Sequence, residues 1–200
     1  MNVLSTRRGR LGLAATLAAI AITAGAIAAV TLTGGPPRAG FPSLHPAAAP
    51  AAWPHAMLPN GTAVLTYLPS MQRVISDHDA VSAARLGSGG AYQLYLNATP
   101  RQGEETLAHW AAFRLRLLRS DDAASAHEVA AAEGLGFRGG TGACVIDTYI
   151  TRIGGHHFTE IACLVQGRSG ASVIVAAAPA ASWARARPLL LRAVAAYQVR

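Results

Sequence analysis

Residues 143–178 read ACVIDTYITRIGGHHFTEIACLVQGRSGASVIVAAA. This stretch contains three runs of β-branched and aromatic residues, which suit the pleated surface of a β-sheet. Gly154-Gly155 separates the first two runs, and Gly167-Arg168-Ser169-Gly170 separates the second from the third. Short connections that contain glycine are typical of β-hairpins. The stretch is therefore predicted to form a three-stranded antiparallel meander.

The chain has two cysteines, Cys144 and Cys163, and they lie on the first two predicted strands. Two cysteines in an exported domain usually pair, because the compartment is oxidising. Placing them directly opposite each other fixes the register of the hairpin and puts its turn at residues 152–155, where the turn residues are. A disulfide between these cysteines is predicted.

The same register places Asp147 opposite Glu160. Like charges directly opposed on neighbouring strands destabilise a sheet. An arginine is therefore expected between the two carboxylates, and the candidates are Arg138 and Arg152. A bound cation is the alternative.

The remaining elements alternate between strands and helices. Helix is predicted over 104–119 and over 180–197, because apolar residues recur there at three- and four-residue spacing. Pro188 predicts a kink in the second helix or its division into two. Residues 123–133 fit either a helix or a strand. Further strands are predicted over 62–68, 73–76, 80–86 and 92–96.

This order predicts an α+β fold, an antiparallel sheet with helices packed on it. In its element order, its hairpin and the closing helix that carries Trp183, the region 62–199 resembles the PsbP-like α/β/α sandwich. That fold is found in extrinsic photosystem proteins and in small actinobacterial proteins, exported or membrane-anchored, of unknown function. The resemblance implies a binding or assembly module rather than an enzyme.

The N-terminus has the pattern of a membrane segment. Three arginines in the basic segment 1–10 precede residues 11–33, which carry no charge and are long enough to cross a bilayer as a helix. The position of the basic residues predicts a cytoplasmic N-terminus and an exported domain. The run is either a single-pass anchor or a signal peptide cut after Ala24-Gly25-Ala26, which would release a secreted protein.

Residues 34–59 hold seven of the 11 prolines and much alanine. This composition predicts an extended, disordered linker without a core of its own. The turn signal Asn60-Gly61 then marks the start of an extracytoplasmic domain over 60–200.

Composition and motifs argue against several function classes. The formal charge of +7 comes from 17 arginines and no lysine, so chemistry that needs a lysine is excluded. The sequence shows no clustered basic face of the kind that binds nucleic acid, so nucleic-acid binding is not predicted. The Gly134–Gly139 stretch matches G-x-G-x-x-G but precedes a strand, so no dinucleotide cofactor is expected.

Histidine and acidic residues occur together at 77–79 and at 156–160. Neighbouring side chains on a strand point to opposite faces, so His156 and His157 cannot bind the same ion without a β-bulge. No metal site is predicted. The chain contains neither a G-x-S-x-G nor an H-E-x-x-H motif, and no catalytic residue is predicted.

The leading hypothesis is a non-enzymatic module anchored in the membrane of the bacterial cell envelope, with an envelope protein or lipid as its partner. One alternative is a carrier of a small apolar ligand between sheet and helix, and another is an enzyme of unrecognised type. The candidate ligand or partner surface comprises Trp110, Arg114, Trp183, Tyr149 and Phe158.

Overall fold

Ten β-strands and two α-helices lie within residues 40–77 and 79–200, the part of the chain that the computed structural model describes. The strands are β1 (His55–Met57), β2 (Ala63–Thr66), β3 (Gln72–Val74), β4 (Val81–Leu86), β5 (Tyr92–Pro100), β6 (Ala123–Phe137), β7 (Gly140–Thr151), β8 (His157–Gly167), β9 (Gly170–Pro179) and β10 (Gln198–Val199). The helices are α1 (Trp110–Asp121) and α2 (Trp183–Ala196).

The strands form two antiparallel sheets. The large sheet has seven strands in the order β3-β4-β5-β9-β8-β7-β6, and the small sheet has the order β1-β2-β10. Helix α1 packs on one face of the large sheet, while α2 and the small sheet pack on the other. The predicted α+β class is confirmed.

The predicted meander is formed by β7, β8 and β9, and its register is confirmed. Cys144 pairs with Cys163 across β7 and β8 and is joined to it by a disulfide. Asp147 lies opposite Glu160 in the same ladder. The turn contains Gly154 and Gly155, which both have positive φ, a conformation that suits glycine.

Side chains alternate between the two faces of a strand, so this register assigns each side chain of the meander to one of the two faces of the large sheet. We use "cysteine face" for the side of the large sheet that carries Cys144 and Cys163 and packs against α2. We use "carboxylate face" for the side that carries Asp147 and Glu160 and packs against α1.

Several predicted boundaries differ from the structure. Helix α1 begins at Trp110 rather than at residue 104, after a 3-10 turn at Leu107–His109. Residues 123–133 lie in β6, because pairing with β7 decides a segment whose composition is ambiguous. Helix α2 is one continuous element, not two, with Pro188 inside it.

The predicted domain start at Asn60 is wrong for the described part of the linker. Leu44 and Leu58 are buried in the core on the cysteine face, and β1 pairs with β2. The backbone N–H of Ala47 donates to the carbonyl of Ala195 at 2.9 Å. Proline limits regular structure in this segment to β1 but does not prevent packing, so residues 40–59 belong to the folded domain. Residues 34–39 lie outside the described residues.

The predicted basic segment 1–10 and membrane segment 11–33 also lie outside the described residues. Within residues 40–77 and 79–200, no helix has the length and apolar character needed to cross a membrane.

Candidate functional site

The carboxylate face has a cleft because one helix is too narrow to cover it. Seven strands spaced roughly 4.8 Å apart span about 29 Å, whereas a helix with its side chains is about 10–12 Å wide. Helix α1 lies over β6, β7 and β8. Beside it, an open cleft of about 830 Å³ lies between α1 and the exposed parts of β5 and β9.

A buried ion pair forms one side of this cleft. Arg114 extends from α1 towards the sheet, where its Nε and Nη2 lie 2.8 and 2.7 Å from Oε1 of Glu160. The Glu160 side chain is 1% exposed. Arg114 is therefore the arginine that the sequence predicted near the opposed carboxylates, but it lies on α1 and not near the hairpin.

Asp147 lies next to this pair and is fully buried. Neither of its carboxyl oxygens has a hydrogen-bond partner among the described residues. Burial raises the pKa of Asp147 to about 9, the charge of Glu160 raises it further and Arg114 partly opposes the rise. Asp147 therefore carries a proton at neutral pH, and the charges in this part of the site are those of Arg114 and Glu160.

The pKa of Arg114 is also displaced. Burial by itself lowers it, but the charge of Glu160 and the hydrogen bond to that carboxylate more than offset the effect, so the net pKa is raised. The guanidinium remains charged, and its contact with Glu160 is a stable structural ion pair.

Aromatic side chains line much of the cleft. The indole N–H of Trp110 donates to the Ala162 carbonyl at 2.8 Å, which fixes α1 to β8, and Phe113 stacks on Trp110. Tyr149 lies at the β7 side and stacks on Phe158 with ring centroids 5.7 Å apart. Burial and the nearby Glu160 raise the pKa of Tyr149, so its hydroxyl stays protonated at neutral pH.

The floor of the cleft is polar. The Tyr95 hydroxyl on β5 lies 3.2 Å from Ser82 Oγ and accepts a hydrogen bond from Asn97 Nδ2 at 3.1 Å. Asn97 Oδ1 is buried and has no partner among the described residues. Asn97 lines the cleft, so this oxygen is an unpaired acceptor at the site.

Glu105 is a functional candidate that sequence reasoning missed. The sequence predicts it in the first turn of a helix over 104–119, but it lies in the loop before α1. Its side chain is turned inward and is 5% exposed. Oε1 accepts a hydrogen bond from the backbone N–H of Gln102, whereas Oε2 is buried without a partner among the described residues. A Glu two residues after a glycine was the available signal, and it is a weak one.

The structure separates the candidate surface that the sequence predicted. Trp110, Arg114 and Tyr149 line the cleft. Trp183 does not, because it packs against the core of the cysteine face. Phe158 contributes through its stacking on Tyr149.

The two arginines expected near Asp147 and Glu160 lie elsewhere, so that expectation is corrected. Arg138 forms an isolated parallel bridge with Gln198. The Arg152 side chain donates to backbone carbonyls at the end of α1, including that of Arg119 at 2.7 Å. Arg152 thus supplies donors to carbonyls in the last turn of α1, which have no hydrogen-bond donor within the helix.

Metal binding has no support in the described residues. No group of three or more His, Cys, Asp or Glu residues within 40–77 and 79–200 is placed to hold an ion.

A second, smaller cleft of about 390 Å³ lies near the start of α2 and is lined by Arg85, Arg185 and Ser182 among others.

Comparison with known proteins identifies the fold. No family model and no curated protein match the chain. The structure is similar to cyanobacterial PsbP (CyanoP) from Synechocystis sp. PCC 6803, with a TM-score of 0.54 and 11% identity over 76% of this chain and 95% of that one. The fold is therefore PsbP-like, as the sequence resemblance predicted.

Two further solved structures are similar at lower scores. One is a protein of unknown function from Pseudomonas aeruginosa, with a TM-score of 0.47 and 12% identity over 72% of this chain and 94% of that one. The other is a protein from Bacteroides thetaiotaomicron, with a TM-score of 0.43 and 13% identity over 73% and 48% of the respective chains.

Proposed function

We propose that this protein is a non-enzymatic binding module of the bacterial cell envelope, held at the membrane by residues 11–33 with its folded domain outside the cytoplasm. The basic segment before an uncharged apolar run supports this topology. The disulfide between Cys144 and Cys163 supports an oxidising compartment.

The observation that carries the binding role is the cleft on the carboxylate face. It is large enough for a small molecule or a side chain of a partner. Its walls combine aromatic rings with a few polar groups, and two of those polar groups, on Asn97 and Glu105, have an oxygen that lacks a protein donor among the described residues. Ligand sites in proteins have this character.

The enzyme alternative requires a group poised to react at neutral pH. The displaced pKa values in this region instead keep Asp147 and Tyr149 protonated, and the charge of Arg114 is held by Glu160. These shifts favour a rigid framework for binding over acid–base catalysis.

The apolar-carrier alternative required a cavity beside Trp110 or Trp183. A cleft does lie beside Trp110. Its lining includes Tyr95, Asn97 and Glu105, however, and an apolar ligand would leave these polar groups without partners. The lining favours a polar or charged ligand.

The topology is tested with two fusions at the C-terminus of the full-length chain. Alkaline phosphatase is active only outside the cytoplasm, whereas green fluorescent protein folds poorly outside the cytoplasm. We expect phosphatase activity in the membrane fraction and little fluorescence. Deletion of residues 1–33 should reverse both signals. Bright fluorescence from the full chain without phosphatase activity would contradict the topology.

The binding role is tested by native mass spectrometry of the full-length chain purified from envelopes in a non-ionic detergent. We expect a bound species that disappears on denaturation. Thr99→Trp should abolish it, because Thr99 lines the cleft, whereas Thr106→Trp at an exposed position outside the cleft should not. Equal occupancy in both variants would show that the cleft is not the binding site.

A further inference from the structure

The charge of the cleft is opposite to that of the whole protein. The formal net charge is +7, with 17 arginines and ten acidic residues. The lining of the cleft contains five of those ten acids but only two of the arginines, and one of these two, Arg114, is paired with Glu160. The five acids are Asp77, Glu105, Asp121, Asp122 and Glu160. A cleft with this excess of acidic groups favours positively charged ligands.

Glu105 gives this excess a specific contact point. One carboxylate oxygen is held by the Gln102 N–H, while Oε2 is buried and has no partner among the described residues. A buried carboxylate oxygen without a donor is costly. The side chain is 5% exposed and lines the cleft, so a ligand in the cleft can supply the missing donor.

The other walls suit the same kind of ligand. Tyr95, Trp110, Phe113 and Tyr149 line the cleft, and aromatic rings bind ammonium and guanidinium groups through the negative charge of their faces. Asn97 Oδ1 is a second acceptor without a donor among the described residues. An anion would find both lining arginines already engaged, since Arg114 is bound to Glu160 and Arg152 donates to backbone carbonyls at the end of α1.

We propose that this cleft binds a ligand with a positively charged nitrogen, an ammonium or guanidinium group, which donates to Oε2 of Glu105 while its alkyl part lies against the aromatic wall. The inference rests on the proposed binding function and names its ligand class. The charged group can belong to a free amine or to the side chain of a basic peptide.

The test is a calorimetric titration of the full-length chain in a non-ionic detergent with four cationic probes and two controls. Spermidine and cadaverine represent free amines, the blocked peptides Ala-Lys-Ala and Ala-Arg-Ala represent basic side chains, 1,5-pentanediol is the neutral analogue of cadaverine, and octanoate is the anionic, apolar control. We expect at least one cationic probe to bind and neither control to compete with it. Tighter binding of the amines would identify a free amine as the source of the cation, and tighter binding of the peptides would identify a basic side chain.

Glu105→Gln is the decisive variant, because it keeps the oxygen that accepts from Gln102 and replaces the carboxylate charge. We expect it to weaken binding of the cation by about tenfold or more. Glu104→Gln removes the same charge from the adjacent, exposed residue, which does not line the cleft, and should change the affinity by less than about twofold.

Equal binding by wild type and Glu105→Gln would overturn the assignment, as would equal affinity for cadaverine and pentanediol. Binding of octanoate alone at the cleft would overturn the cation specificity and leave the proposed binding function standing. If no probe binds, the cation assignment fails, while the envelope topology and the native mass spectrum still decide the proposed function separately.

Discussion

The cysteine face and the carboxylate face of the large sheet consist of the same strands but are stabilised in different ways. On the cysteine face, Ile146, Ile161 and Ile174 are buried against α2 and the small sheet. Beside them, the disulfide ties β7 to β8. The carboxylate face is only partly covered, and it buries Asp147 and Glu160 beneath α1.

The difference shows where the protein retains chemistry. Apolar residues on the cysteine face are buried without an electrostatic cost. Burying carboxylates is costly unless partners compensate, and here a single arginine does so for Glu160. The carboxylate face should therefore depend on charge and pH, and the cysteine face on packing and the disulfide.

The strongest test of this comparison is Arg114→Met. The variant leaves Glu160 buried without its partner and should lower the free energy of unfolding by about 3–5 kcal/mol. Arg116→Met is the matched control, because Arg116 is exposed and lies over the Phe113 ring; it should cost less than about 1 kcal/mol. Urea denaturation of the full-length chain measures both. A loss below about 1 kcal/mol for Arg114→Met would show that the ion pair does not support this face, and Arg114→Met/Glu160→Gln should recover part of the loss.

The second test removes the disulfide on the other face. Cys144→Ala/Cys163→Ala opens a loop with a sequence separation of 19 residues and should cost about 3 kcal/mol, with no dependence on pH between 5 and 8. Addition of reductant to the wild-type chain should give a similar loss and have no effect on the double variant. An intact mass that shows two free thiols in the exported protein would contradict the bond.

The third test concerns the sign of the pH dependence. The pKa of Asp147 is about 9 in the folded state and has an ordinary value of 3.8. Between these values the unfolded chain releases the proton while the folded chain keeps it, so the residue lowers stability increasingly as pH rises from about 4 to about 9.

Asp147→Asn cannot ionise and should remove this loss. We expect it to stabilise the protein by a few kcal/mol at pH 7 and to have little effect at pH 4. Thermal unfolding at a series of pH values measures the difference, with the exposed Asp122→Asn as the control. A stability difference that does not change with pH would contradict the protonated state of Asp147.

The smallest expected effect is on the cysteine face. Tyr197 and Ser172 share a buried hydrogen bond of 2.8 Å between their hydroxyl oxygens. Tyr197→Phe should lower the free energy of unfolding by about 1 kcal/mol, which is a few degrees in melting temperature. Tyr197→Phe/Ser172→Ala removes both partners and should recover part of the loss. A loss as large as that of Arg114→Met would show that polar contacts matter equally on both faces.

Local patterns predicted the centre of the fold well. The paired cysteines, the glycine turn and the alternation of side chains were enough to give the β7–β8 register and to place Asp147 opposite Glu160. The same reasoning expected an arginine near them but selected Arg138 and Arg152, because both are close to the hairpin in sequence. Arg114 was placed on the candidate ligand or partner surface and not beside the two carboxylates, since the helical pattern does not say how α1 is rotated over the sheet.

The N-terminal part of the domain was predicted least well. Proline content indicated a linker, whereas Leu44 and Leu58 are buried in the core. Isolated apolar residues in an irregular segment have no periodicity, so the sequence gives no sign that they pack. Glu105 was missed for a similar reason, because its position depends on the loop that enters α1.

The sequence by itself determined the α+β class, the antiparallel meander, the disulfide and the opposed carboxylates, since these follow from contacts between neighbouring strands and from alternation of side chains. Only the tertiary structure decided which arginine compensates Glu160, which residues line the cleft and where the folded domain begins. Those features depend on how α1 and residues 40–59 pack against the sheet. Packing brings together residues that are far apart in the chain, and a local sequence pattern does not say which of them come into contact.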